Sequence, residues 1–442
     1  MGFGVVKCLL VAGCVLGLGQ SVGAADEPPP LPDPLSLAQA LEMADAAHPA
    51  LELAAAQRDA DAAALAAEEA NAGAQVSFEG RLRAVQPSYR ALDRSSNDSS
   101  ARLVARKRLY DFGYTEARTR AAELRLAGSD QDFIAARQQR RLDIMARYFD
   151  VLLADLTYAR DNEAMATAYV AVDKARDRNE LGQVSDVDVL ELEAAYQETR
   201  RRRFAAETRQ RATRAQLASA LNRPHDLPAN LVTPASPDMA QALPEFEGLV
   251  TAALAGNPRL KSLQVRVDAA QQAVAAADAA DGPVLYGEAD ASVYNRMTSS
   301  TSPLGVGVVL EVPLYTGGAR DAKLASARAE LREAAARLAQ ARLDLRQHVL
   351  DLWQELDVLQ QRDQELRTLA DYRELYLDRS RALYELEVRA DLGDAMVQTS
   401  AVRLQRAEVA FQWRLAQARL QALTGQLITV DGEAMPREET KP

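Results

Sequence analysis

The chain has 442 residues, 48% hydrophobic but only 5% aromatic, enough for more than one globular domain yet short of rings for several compact cores. Its formal charge of -11 at pH 7 argues against a nucleic-acid partner, since phosphate binding needs a surplus of lysine and arginine. Both cysteines, Cys8 and Cys14, lie near the start, so the rest of the chain has no thiol for disulfides, metal ligation or nucleophilic catalysis.

From the N-terminus, Lys7, the apolar run Cys8 to Leu18 and the small-residue pattern Ser21-Val22-Gly23-Ala24 read as a secretory signal over 1–24. Val11-Ala12-Gly13-Cys14 also has the form of a lipoprotein box; it ranks second, because the apolar stretch before Cys14 is short and continues past it. Downstream there is no run of about 18 apolar residues, which excludes a membrane-spanning helix. A mature chain that crosses a membrane must do so as a closed β-barrel.

Prolines then divide the chain. They crowd into the segment 25–34 and the linker 223–244, and none falls between Pro87 and Pro224 or between Pro313 and Pro436. The proline-free stretches are rich in Ala, Leu, Arg, Glu and Gln, good helix formers, with Gly182 and Gly393 as natural turning points. Leu142, Met145, Phe149, Leu152 and Leu156 step by three and four, as do Leu345, Val349, Leu352, Leu356, Leu359, Asp363 and Leu366. A helix from Glu116 to Arg178 would be about 90–100 Å long. Its seam needs neighbouring rods, from the same chain or from copies.

Landmarks recur at a nearly constant offset. His48-Pro49-Ala50-Leu51 returns as Asn257-Pro258-Arg259-Leu260, Leu109-Tyr110-Asp111-Phe112-Gly113 as Leu314-Tyr315-Thr316-Gly317-Gly318, and Ala220-Leu221-Asn222 as Ala422-Leu423-Thr424. The expectation is a tandem duplication: a first repeat 35–222, with strands at 74–86 and 100–110 and a tip turn at 180–187, and a second repeat 245–426. The second has strands at 283–295 and 305–315 and a tip turn at 385–393, and a tail 427–442 follows.

The strand segments alternate with period two. Val76, Phe78 and Leu82 oppose Ser77, Glu79 and Arg81; Leu285, Ala289, Ala291 and Val293 oppose Glu288, Asp290 and Ser292. Glu79, Arg81, Glu288 and Asp290 are therefore assigned to the wet wall of a barrel. Four strands cannot close a barrel, and lipid does not tolerate open edges, so copies must combine; three copies give twelve strands.

The strand-to-helix exits, Leu109-Tyr110-Asp111-Phe112-Gly113 and Pro313-Leu314-Tyr315-Thr316-Gly317-Gly318, and the turn Leu181-Gly182-Gln183-Val184-Ser185-Asp186-Val187-Asp188 resemble those of the TolC family of outer-membrane efflux proteins. The resemblance runs from about Leu35 to Gln426. It implies a mainly α protein with a transmembrane β-barrel part, a trimer whose twelve-stranded barrel continues into a long antiparallel coiled-coil tunnel in the periplasm. It implies outer-membrane lipid around the barrel, a periplasmic adaptor at the tip formed by Gly182, Val184, Ser185 and Asp188, and an inner-membrane pump of the RND or ABC type. Asp391 and Asp394 resemble the family's acidic periplasmic aperture, and Gly113, Pro313, Gly317 and Gly318 its strand-to-helix exits. The second tip departs from the pattern, with Glu387 where glycine is expected.

From the residues alone, Gly182 can end one helix and Ser185 or Asp186 cap the next. Asp391 and Asp394 equally fit the ordinary role of acids at a helix N-terminus. His48 and Asn257 read as turn formers, Trp353 and Trp413 as core, and Arg200-Arg201-Arg202-Arg203 as a solvated face. No catalytic constellation, cofactor loop or metal set stands out, and no enzyme is expected. The rival reading is a secreted coiled-coil scaffold or adaptor without a pore.

Overall fold

The computed structural model describes residues 30–91, 93–296, 302–386 and 391–428. The signal segment, the Cys14 box and Glu387 lie outside them.

Each repeat folds as helix, β-hairpin, very long helix and return helix. The first comprises the short α1 (Leu37–Glu42), α2 (Pro49–Ala72), β1 (Ala74–Arg81), β2 (Ser100–Tyr110), α3 (Tyr114–Glu180) and α4 (Asp186–Ala220). The second comprises α5 (Phe246–Gly256), α6 (Pro258–Ala279), β3 (Val284–Tyr294), β4 (Leu304–Glu311), α7 (Ala319–Glu385) and α8 (Leu392–Leu423). Both α3 and α7 are 67 residues long, about 100 Å at 1.5 Å per residue. No described helix is long and apolar enough to cross a membrane.

The hairpins join into one antiparallel sheet of order β1-β2-β3-β4. β1 is shorter than the sequence alternation suggests, because the Ser99 hydroxyl, 3.3 Å away, accepts from the Arg83 amide where a ladder carbonyl would. Pairing then continues through the Ala84–Asn97 bridge, with hydrogen bonds from the Asp98 amide to the Arg83 carbonyl and from the Val85 amide to the Ser96 carbonyl, both 2.8 Å. β4 likewise stops short of 315, two residues before Pro313, which has no amide hydrogen for a ladder.

The helices keep the order of the strands they feed. Next to the sheet α2 packs on α3, α3 on α6 and α6 on α7; towards the tips the order becomes α4, α3, α8, α7. The chain is thus one curved layer with two free sides, one made of β1, α2 and α4 and the other of β4 and α7. The expected α7 stripe is the seam: Leu345, Val349, Leu356, Leu359, Asp363 and Leu366 are all buried, with Asp363 accepting from Arg367 at 2.7 Å. Trp413 lies in the same core, and the repeats meet where Phe149 of α3 stacks on Phe411 of α8, centroids 4.6 Å apart.

The segment 223–244 is a belt laid across mid-helix positions. Leu35 forms an isolated parallel bridge with Leu231, its amide donating to the Asn230 carbonyl and its carbonyl accepting from the Val232 amide, both at 2.9 Å. The single proton of the buried Tyr148 hydroxyl is shared between the Leu35 carbonyl at 2.9 Å and the Val232 carbonyl at 2.6 Å. Further along, Arg414 donates to Ala235, Gln360 to Met239 and Gln241, and the Trp353 indole to Pro244 at 3.0 Å. Arg140, buried and without an ion pair among the described residues, donates to the carbonyls of Met43, Ala44 and Ala220, the orphan ends of neighbouring helices. His48 and Asn257 are not merely turn formers. The His48 imidazole accepts from Ala50 at 3.1 Å, and the Asn257 side chain from Leu260 at 2.9 Å, so the repeated landmark is a helix N-cap with proline at the next position.

Burial pushes the Tyr148 phenol up from its ordinary 10 to about 12. A raised value means the neutral phenol stabilises the fold fully below pH 10, a contribution lost as pH rises through about 12. Tyr148→Phe is expected to cost about 1–3 kcal/mol at neutral pH, by leaving belt carbonyls short of a donor. Its melting temperature, followed by circular dichroism, should also fall less than wild type between pH 10 and pH 12.

Candidate functional site

The sheet has two unlike faces. Val76, Phe78, Leu103, Ala105, Ala289, Ala291, Val306 and Val308 share one face by register, and on it Phe78 and Val306 are 73% and 83% exposed in the single chain. The other face carries a charge lattice. Arg102 meets Asp290 at 3.4 Å, and Arg106 meets Glu288 at 2.9 Å and Glu311 at 3.5 Å while lying 3.7 Å over the Tyr286 ring. Glu79 stands opposite Arg102, and Arg81 opposite Ser100.

All four residues assigned to the wet wall therefore share one face, and the arginines that pair with Glu288 and Asp290 come from β2. Glycines make the room: Gly305 and Gly307 sit opposite Asp290 and Glu288, and a Cβ on Gly305 would lie 2.6 Å from an Asp290 carboxylate oxygen.

Below the sheet the chain turns sharply into α3 and α7. Gly113, Gly317 and Gly318 have φ of 92°, 63° and 81°, a region glycine enters without penalty. Phe112, at φ 54°, occupies the place that Gly317 holds in the second repeat. The first exit has a clamp that sequence reasoning missed. The buried Asp111 carboxylate accepts from the Thr115 amide at 3.0 Å, from the Thr115 hydroxyl, and from Arg108 at 3.1 Å. Burial pushes this carboxyl up, but those hydrogen bonds outweigh it and hold the group below the usual carboxylate range. Asp four residues before Thr in a first helical turn was the available signal, and the second repeat, with Thr316, does not repeat it.

At the opposite end of α3, Gly182 adopts φ 68° and the Gln183 amide reaches back to Arg178 at 2.8 Å, closing the helix. Ser185, rather than Asp186, caps α4. Its hydroxyl accepts from the Asp188 amide at 3.3 Å and donates to the Asp188 carboxylate at 2.8 Å, and that carboxylate also accepts from the Ser185 amide. Asn179 ties the turn by donating to the Val184 carbonyl and the Asp186 carboxylate, both at 2.9 Å. Around this rigid turn the apolar side chains of Leu181, Val187 and Leu190 are all exposed.

Asp391 and Asp394 stand at the start of α8, in its N-cap and first turn. One Asp391 oxygen accepts from the Tyr376 hydroxyl of α7 at 3.0 Å. A Cβ on Gly393 would come 2.6 Å from the Thr167 methyl, so α8 and α3 press together here, and nearer the sheet the Ser400 hydroxyl donates to Glu163. These contacts join residues far apart in sequence, and no local pattern announces them. Among the described residues no group of three or more His, Cys, Asp or Glu side chains could hold a metal ion.

The profile described as "Outer membrane efflux protein" matches residues 249–426. Protein CyaE of Bordetella pertussis is 27% identical over 329 residues, 71% of this chain and 68% of that protein. Outer membrane efflux protein BepC of Brucella suis is 26% identical over 260 residues, 56% of this chain and 54% of BepC, about half its length. Among solved structures, the Campylobacter jejuni CmeC outer membrane channel superposes with a TM-score of 0.74 at 12% identity over 88% of this chain and 85% of that one. VceC of Vibrio cholerae does so with a TM-score of 0.70 at 19% identity, over 88% and 96%. At such identities the structural likeness establishes the fold.

Ser185→Ala removes the capping box, and we expect about 1 kcal/mol less helix stability at the tip. Amide exchange at residues 186–189 should quicken several-fold while exchange in the α3 core stays unchanged.

Proposed function

We propose, from the profile match over 249–426 and the likeness to solved outer membrane channels, that the chain is an outer membrane efflux protein and one protomer of a passive trimeric duct. The sheet would span the outer membrane, and the helices would continue the passage into the periplasm. The observation that carries this reading is the pair of free sides. β1 and β4 each offer one unpaired edge along eight residues, and α2 or α4 on one side and α7 on the other expose apolar residues such as Leu53, Leu343, Val358 and Leu375. A copy placed against each free side would pair β4 with β1 and α7 with α2 and α4. Repeated three times this closes the ring, with the oily face outward in lipid and the charged face lining water. A head-to-tail contact of this kind must close or run on as a filament.

The pore-free scaffold reading would leave eight-residue strands with a Phe and Val face in water. No reaction is assigned to the chain, which supplies a path rather than chemistry. The tip of Gly182, Val184, Ser185 and Asp188, with Leu181 and Val187 exposed beside it, suits docking of a periplasmic adaptor, which would couple the duct to an inner-membrane pump of the RND or ABC type. The lower mouth would be set by α8. Asp391 and Asp394, repeated in three copies, would bring carboxylates towards the axis, with the α8 to α3 contacts at Gly393 and Ser400 holding that end shut.

Two measurements test the assembly and the mouth. Val306→Arg on the oily face should cost about 2–4 kcal/mol near the bilayer midplane and sharply reduce the detergent-resistant trimers recovered from outer membranes. A fully soluble wild-type monomer would refute the duct. In planar bilayers, Asp391→Asn with Asp394→Asn should raise conductance or weaken block by multivalent cations. Unchanged currents would remove those residues from the aperture.

A further inference from the structure

We propose that a groove at the waist of each chain, bounded by α3, α6, α7 and α8, binds an organic anion with an apolar body. It lies where α6 begins beside the end of α8, inside one chain and away from the free sides that a neighbouring copy would cover. Its volume is about 1000 Å³.

Two buried side chains stand in its wall without partners. Gln138 is 5% exposed and Ser262 1%, and neither the Gln138 amide nitrogen nor the Ser262 hydroxyl has a hydrogen-bond partner among the described residues. Such groups are destabilising unless something supplies the missing bond. Arg259 and Arg419 line the same groove, and neither forms an ion pair or side-chain hydrogen bond among the described residues.

The carboxylates are already engaged: Asp132 with Arg266 at 2.5 Å, Asp143 with Arg147 at 3.4 Å, and Asp351 with Gln347 at 2.7 Å. The unengaged groups, which also include Gln139 and His348, can all donate, and Arg259 and Arg419 are cationic. The complement is an acceptor-rich anion such as a carboxylate. Leu142, Leu263 and Leu352 supply apolar wall, which suits a ligand whose remainder is hydrocarbon.

Titrating 2-naphthoate into the full-length protein in neutral detergent tests this, with 2-naphthol and inorganic phosphate as separate arms. Saturable binding of naphthoate near one per chain is expected, weakened about tenfold or more in Arg259→Gln and in Arg419→Gln. Gln138→Leu should weaken it several-fold without lowering the melting temperature, which keeps the test valid if an arginine variant folds poorly. Equal binding by wild type and all three variants would overturn the site. So would naphthol binding as tightly as naphthoate, or phosphate binding where naphthoate does not.

Discussion

Everything in this chain follows from a sheet that is apolar on one face and cannot close by itself. Backbone amides and carbonyls at a sheet edge are tolerable in water and prohibitive in hydrocarbon, where each unsatisfied group costs several kcal/mol. Four strands leave two such edges, and the structure carries those two sides unbroken from the sheet through the whole helical layer. The same pair of sides is free at every level because the helices inherit the strand order.

On the charged face, pairing of acids with arginines keeps the wall wettable without a strong field of one sign. Arg102 and Arg106 are held against Asp290, Glu288 and Glu311, so neither sign projects alone. The helices have a different task. Their seams of Leu and Val bind the chain together lengthwise, and the belt at mid-height fixes one repeat against the other through bonds to backbone carbonyls.

The architecture was largely legible in the residue pattern, because it is built from regularities. Period two in Leu285 to Val293, period three and four in Leu345 to Leu366, and the doubled landmarks each repeat often enough to be recognised locally. The candidate sites were less so. The Gly182 turn could be recognised, yet the choice of Ser185 over Asp186 as cap depended on Asp188 turning back to it. The strand ends at Arg81 and Glu311 fell short of the alternation, since a side chain and a proline interrupt the ladder where hydrophobicity still alternates. The Tyr148 belt, the Arg140 carbonyl cluster and the Gly393 to Thr167 contact join segments distant in sequence. Such contacts are fixed only when the layer assembles, and the single side chains that make them look ordinary in isolation.

The equal span of α3 and α7, 67 residues each, limits how this molecule can change in length. Both rods leave the sheet at one level and turn back at another, so their hairpins share a rim. An insertion in one arm alone would lift its end out of that plane and shift the knobs of its seam against the facing holes. Descendants of this sequence can lengthen or shorten only by matched steps of about seven residues taken in both arms and in the helices that return beside them. Two halves built to one plan can change only in step.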